Sequence, residues 1–219
     1  MPRRRQPRGT KGSLKWIQDL VNLHPDVLDE AIEDGPVEWR SPLADDDYAE
    51  YWDQAFLDRL GLVLRGRPLH AFWPQSGPRW DALGLILGQR VVLVEAKAHR
   101  DEVRSLSRAG AESRSKIEAA FRELAGTWRI SDTSAWLTTY YQYANRLAHA
   151  FLLNELNAIP TLLVFVHFVG AHEVEGPATR VEWQALLQDM HHALGVHDRL
   201  PAYVRDVFVD VSGEVPAVC

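Results

Sequence analysis

Cysteine is almost missing from this chain: Cys219, the last residue, is the only one. That excludes disulfides within one chain and zinc sites built from several thiolates. No apolar stretch approaches the ~20 residues that a membrane-spanning helix needs. The longest, 161–169, is strand-sized and contains His167. The basic N-terminus is not followed by an apolar segment, so no secretory signal is expected and a cytoplasmic setting is. Glycine-rich phosphate loops, a serine-centred nucleophile elbow and zinc-ligand spacings are lacking as well, which speaks against those chemistries.

Positive charge is in short supply too. The net charge is −6 over 219 residues, which argues against a nucleic-acid partner until its distribution is considered. Residues 1–12 hold Arg3, Arg4, Arg5, Arg8 and Lys11 with no acid, whereas residues 26–58 hold twelve acids against Arg40 alone. Residues 97–129 carry eight Lys/Arg against five acids, so a local basic surface is compatible with the acidic whole. The acidic segment would repel DNA from one face or serve as the interface for a basic partner.

What is present is ordinary globular material, with 46% apolar and 25% charged residues. Residues 1–12 read as a disordered basic tail, and 13–219 as a single domain. Ser13 precedes a short helix with Leu14, Ile17, Leu20 and Val21 on its apolar face, and Pro25 starts another through Ile32. Tyr48, Trp52, Phe56 and Leu60 predict a helix closed by Gly61, with acids in its first turn. The pattern then turns extended: a strand over 69–73, and a hairpin of 79–87 and 90–98 around Gly88-Gln89. Residues 101–126 are helical with a break at Gly110, and 134–156 is the clearest helix. A strand buried on both faces (161–169), a helix (181–194) and a last strand (204–211) follow. This order predicts an α/β protein with a mixed central sheet flanked by helices.

The chemistry concentrates at Trp80-Asp81-Ala82 and at the run from Val91 into Glu95-Ala96-Lys97. Residues two apart on a strand share a face, so Glu95 and Lys97 project together from a buried strand end. Burying either charge alone is costly, which points to a shared polar pocket or a metal. Asp81 joins them in one class of hairpin register, or through an irregularity or bend near Asp81. A two-residue turn pairs Asp81 with Ala96 and turns it away. A three-residue loop over 88–90 pairs Leu87 with Val91, Leu85 with Leu93 and Asp81 with Lys97, leaving Asp81, Leu83, Glu95 and Lys97 on one face. Two carboxylates with carbonyl oxygens suit Mg²⁺ or Mn²⁺, and a nearby lysine can orient a water attacking phosphorus.

A weakly apolar strand holding Asp, followed by a hydrophobic strand ending in Glu-x-Lys, resembles the PD-(D/E)XK nuclease superfamily, the restriction-endonuclease-like fold. The resemblance spans roughly 45–170 and implies an αβββαβ core, with N-terminal helices and a C-terminal helix–strand extension. It implies Asp81 and Glu95 as metal ligands with the Ala96 carbonyl, and Lys97 as the catalytic lysine. Trp80 stands where many members have Pro. An acid on the first helix near the metal is implied as well, with Glu50 the first candidate and Asp53 the second. Gln142, with Arg146 and His149 at i+4 and i+7, matches the glutamine that some subfamilies use; Arg146 replaces their tyrosine. Arg100, Arg146 and His99 are then the expected nucleic-acid contacts.

Bland alternatives accompany these. Glu95 and Lys97 form a solvated ion pair in an unrelated α/β protein if Asp81 lies elsewhere. His191, His192 and His197 read as surface residues, His167 as a satisfied core histidine, and Trp73 and Trp80 as packing rather than base-stacking groups. The expected function is metal-dependent hydrolysis of nucleic-acid phosphodiesters, with DNA the expected substrate in repair or genome defence. The alternative is a catalytically inactive nuclease-fold subunit that binds nucleic acid or assembles with others. A homodimer or a partner subunit fits either.

Overall fold

The computed structural model describes residues 2–213 and 216–219. Its regular elements, in chain order, begin with β1 (Arg3–Arg4), α1 (Gly12–Leu23), α2 (Pro25–Ile32), β2 (Val37–Ser41), β3 (Glu50–Tyr51), α3 (Gln54–Arg59) and α4 (Leu69–Phe72). They continue with β4 (Ala82–Ile86), β5 (Arg90–Lys97), α5 (Ala111–Trp128), α6 (Ser134–Thr138) and α7 (Tyr141–Asn157). The last are β6 (Thr161–Val169), α8 (Arg180–Ala193), β7 (Val204–Asp210) and β8 (Ala217–Val218).

The main sheet is mixed, in the order β2-β4-β5-β6-β7-β8. β4 is antiparallel to both β2 and β5, β5, β6 and β7 run parallel, and β8 is antiparallel to β7. Parallel central strands must be covered on both faces, which explains why β6 is buried at every position. Strand alternation sorts the interior into two cores. Val92, Val94, Ala96, Val164, Val166 and Val209 pack with Ile17, Leu20, Leu28 and Ile32 of α1 and α2. Leu83, Leu93, Leu163, Phe165 and Phe208 pack with residues of α3, α5, α7 and α8. Glu95, Lys97 and His167 alternate onto this second face.

Several expected elements are corrected. The first strand of the sheet is 37–41, not 69–73. In β4, Gly84 faces Trp39 across the ladder, and a Cβ there would come within 2.3 Å of Val37 Cγ1. The 69–73 segment forms the short α4 instead, because Leu69 and Phe72 bury together at i, i+3. The helix expected over 48–60 is confined to α3: Asp47 and Tyr48 take left-handed backbone with φ of 52° and 49°, and β3 is recruited into a ladder. The helix expected over 134–156 is broken at Thr139–Tyr140, where the Thr139 carbonyl accepts the Ser105 N–H (2.7 Å) and the Tyr141 N–H donates back to Ser105 (3.0 Å).

The basic N-terminus, expected as a disordered tail, makes contacts with the acidic stretch. β1 pairs with β3, Arg3 and Arg5 pair with Asp46 and Asp47, and Arg8 pairs with Asp19. The acidic stretch thus finds a basic partner within its own chain.

The hairpin loop also lies one residue earlier than expected. Ile86 pairs with Arg90, Leu85 with Val91 and Leu83 with Leu93. The loop is therefore Leu87-Gly88-Gln89, with Leu87 and Gly88 at positive φ. The parity that puts Asp81 on the face of Glu95 is kept, while the expected pairing partners shift by two.

Candidate active site

Asp81 lies immediately before β4 and is tied to β5 twice. Its N–H donates to the Val94 carbonyl (3.1 Å), and its Oδ2 accepts the Ala96 N–H (2.8 Å). The ladder register, carried one step past Ala82–Val94, sets Asp81 against Glu95. Two carboxylates and an ammonium thus meet where β5 leaves the sheet.

Glu95 is 2% exposed, a depth at which a carboxylate needs cations. Lys97 Nζ donates to its Oε1, and Arg146 Nε donates to its Oε2 at 2.7 Å. Burial pushes the Glu95 pKa up, but the Arg146 and Lys97 charges outweigh that and hold it below the usual carboxylate value. Asp81 is the opposite case. Burial pushes it up to about 8, and the Glu95 charge adds to the shift, against the weaker pull of Lys97, the Ala96 N–H and Arg146. Two adjacent carboxyls with pKa values driven apart are a recurrent feature of catalytic sites.

No protein-family model, curated protein or solved structure matches the chain. The chemistry of the site rests on its own geometry.

Asp81, Glu95, Ala96, Lys97, Glu50, Gln142 and Arg146 all line one open cleft of about 360 Å³. Gln142, at the start of α7, accepts from Lys97 Nζ at 3.2 Å, and its N–H donates to Ser105 Oγ (2.7 Å). Other expected site residues lie elsewhere. Asp53 accepts the N–H groups of Ser76 (3.0 Å) and Gly77 (2.8 Å), holding a loop. His99 caps the turn that follows β5, its Nδ1 accepting from Asp101 N–H at 3.1 Å. Arg100 faces Glu182 at 3.2 Å.

Arg146 reaches the cleft but not as an expected nucleic-acid contact. It is 4% exposed, its NH1 donates to Asn145 Oδ1 (2.7 Å) and its NH2 to the Arg79 carbonyl (2.8 Å), and its guanidinium lies 5.2 Å from the Trp80 ring centre. Its hydrogen bonds are made inside the protein, where it pairs with Glu95. Trp73 and Trp80 are buried, in line with packing rather than base stacking.

The sequence reading missed Arg79, Arg104, Glu102 and Ser13, which line the same cleft. Arg79 carried a usable signal, since a residue two before Asp81 shares its face in extended backbone. It is exposed and its guanidinium lies 4.9 Å from the Trp52 ring centre. Arg104 carried none, because only the turn after His99 brings it back. Glu102 ties that turn down, accepting the Ala98 N–H at 2.9 Å.

Among the described residues, no group of three or more His, Cys, Asp or Glu side chains is arranged to hold a metal ion. The donor chemistry nonetheless suits a hard divalent cation: Asp81 and Glu95 oxygens, the Ala96 carbonyl, and Glu50 at the rim. Asp81 Oδ2 is engaged by Ala96, which leaves Oδ1 for a ligand. The proton that burial holds on Asp81 is the charge a cation would replace. Glu95 is the constrained partner, because Lys97 or Arg146 must yield one of its oxygens.

Proposed function

We propose that this protein is a metal-dependent phosphodiesterase acting on nucleic acid, of the PD-(D/E)XK kind. The observation that carries this reading is the convergence of Asp81, Glu95 and Lys97 on one face of adjoining strands, inside a cleft open to solvent. The sheet supports it, with β2, β4 and β5 antiparallel in sequence and β6, reached through α5–α7, parallel to β5. Asp81, Glu95 and the Ala96 carbonyl would hold Mg²⁺ or Mn²⁺, with Glu50 at the rim. Such a cation supplies Lewis acidity for charge developing on the phosphate.

The side chains of the chain divide the remaining work. Lys97, held by Glu95 and Gln142, aims its ammonium into the cleft, where it orients the attacking water and shares the charge on phosphorus. Arg79 and Arg104, which line the cleft, would receive the phosphate backbone, and Arg146 keeps Glu95 ionised. DNA is the substrate we favour.

A second reading has one observation in its favour: both Glu95 oxygens are already occupied by cations. On that reading the protein is a nuclease-fold subunit that binds nucleic acid or a partner without cleaving. Titration calorimetry with Mn²⁺ and Mg²⁺ on wild type, Asp81→Asn and Glu95→Gln separates the two. Saturable binding that both substitutions abolish, followed by cleavage in a screen of DNA and RNA substrates, supports the enzyme. Heats indistinguishable among the three proteins, with nucleic acid present as well as absent, support the non-catalytic subunit.

A further inference from the structure

On the same face of the sheet, one strand beyond Lys97, lies a second polar pair. Lys97 of β5 stands in register with His167 of β6. His167 is 2% exposed, and its Nε2 lies 2.7 Å from Asp206 Oδ1 on β7. The Trp183 and Phe208 rings flank it, with centroids at 4.9 and 5.5 Å. The other carboxylate oxygen of Asp206 lies 3.5 Å from His191 Nε2, which shares a 2.8 Å hydrogen bond with the Tyr143 hydroxyl. His191, expected at the surface, is half-buried and joins this chain of contacts.

Hydrogen bonding leaves one group unpaired on His167 and one on Lys97. An ionised carboxylate only accepts, so His167 Nε2 donates to Asp206, and in the neutral ring the lone pair then lies on Nδ1. That Nδ1 is buried and has no partner among the described residues. The two nitrogens of an imidazole point to nearly opposite sides of the ring. With Nε2 on Asp206 of β7, Nδ1 faces away from that carboxylate. Lys97 has three N–H donors, of which Glu95 and Gln142 take two. Lys97 and His167 both line the cavity, which has room for about one water molecule.

We infer that His167 is a positioning residue for Lys97: its Nδ1 accepts the third ammonium proton through one water, and Asp206 holds the imidazole in the tautomer that makes this acceptance available. The Lys97 ammonium is then held on three sides, by Glu95, Gln142 and His167, with its orientation set by the sheet rather than by solvent. The contact stands on the geometry alone, whereas its effect on catalysis rests on the role of Lys97 proposed above.

Long-range ¹H–¹⁵N spectra of the labelled wild-type protein read the contact without any activity. His167 is expected as the Nε2–H tautomer, with the Nδ1 resonance displaced in the direction of an accepted hydrogen bond. In Lys97→Met that resonance should move toward the free imine position, while Arg100→Ala should leave it unmoved. A proton found on Nδ1, or an Nδ1 resonance indifferent to Lys97→Met, overturns the inference. In a cleavage assay, His167→Leu should lower kcat roughly ten- to a hundredfold with KM little changed, as for supporting residues around other catalytic groups. His167→Gln, which keeps an acceptor, should recover part of that loss. A wild type that binds no metal and cleaves nothing defeats the proposed function and leaves the ¹⁵N shift to decide the contact.

Discussion

Arg146 and Glu95 form an ion pair sealed from solvent, with side chains 5% and 3% exposed and Nε 2.7 Å from Oε2. Removing one member of a buried pair leaves the other charge uncompensated, which costs about 3–5 kcal/mol. Arg146→Leu should lose stability near the low end of that range, because Lys97 still faces Glu95. Urea unfolding measures it, and the double variant Arg146→Leu/Glu95→Gln should regain part of the loss. A change below about 1 kcal/mol, the scale of exposed pairs, would mean that water reaches Glu95 through the cleft.

Lys97 competes with any cation for Glu95 Oε1. Lys97→Met should therefore bind Mn²⁺ at least as tightly as wild type, while cleavage falls by roughly 10²–10³, the cost of losing one preorganised electrostatic group. Weaker metal binding in this variant, measured by calorimetry, would place the lysine in the ligand set rather than opposite it.

Asp81 makes the metal-free protein sensitive to base. Its folded pKa, about 8, lies above the ordinary 3.8. Between these values the folded state keeps a proton that the unfolded state has released. The stability this proton contributes is full below the unfolded value and is lost as pH rises through the folded one. The slope is at most about 1.4 kcal/mol per pH unit. Asp81→Asn should flatten it and be more stable than wild type at pH 8 in the presence of a chelator. Parallel unfolding profiles for the two proteins from pH 5 to pH 8 would contradict this.

His149 acts in the opposite direction. It is 1% exposed and packed against Trp73, Trp80 and Phe56. Burial, with the nearby Arg146 charge, pulls its pKa down to about 3 from 6.5 against the Asn145 carbonyl that favours its proton. The unfolded chain binds a proton in that interval and the folded chain does not. Stability from this group is therefore present above pH 6.5 and falls as the solution is acidified, by at most about 1.4 kcal/mol per unit. His149→Phe should lessen the acid dependence between pH 6 and pH 4, and an unchanged slope in thermal melts would exclude His149 as its source.

The elements that could be read in the sequence are those whose own pattern decides their state. The apolar run of β6, the stripe along α7 and the Pro25 start of α2 each specify type and face locally. Glu95 and Lys97 were legible for the same reason, since spacing of two on a buried strand puts both on one face whatever the partner. Elements that failed owe their state to distant groups. Tyr48 to Leu60 has helical spacing, but Arg3–Arg4 takes its first residues into a ladder. Leu69 to Trp73 looks extended, but Val37–Ser41 occupies the place beside β4.

For the site, the chain alone determined which groups are chemically capable: two carboxylates, an ammonium and a glutamine at strand and helix positions that face inward. Tertiary structure decided which of them meet and what each is left to do. The one-residue shift of the hairpin loop preserved the parity that brings Asp81 to Glu95. Burial turned Arg146 from an expected nucleic-acid contact into the partner of Glu95, the turn after His99 carried Arg104 to the cleft, and β7 supplied Asp206 to His167. Periodicity reports the face a side chain shows. It is silent about the partner across that face, because hydrogen bonds and charges are satisfied in space between residues far apart in the chain.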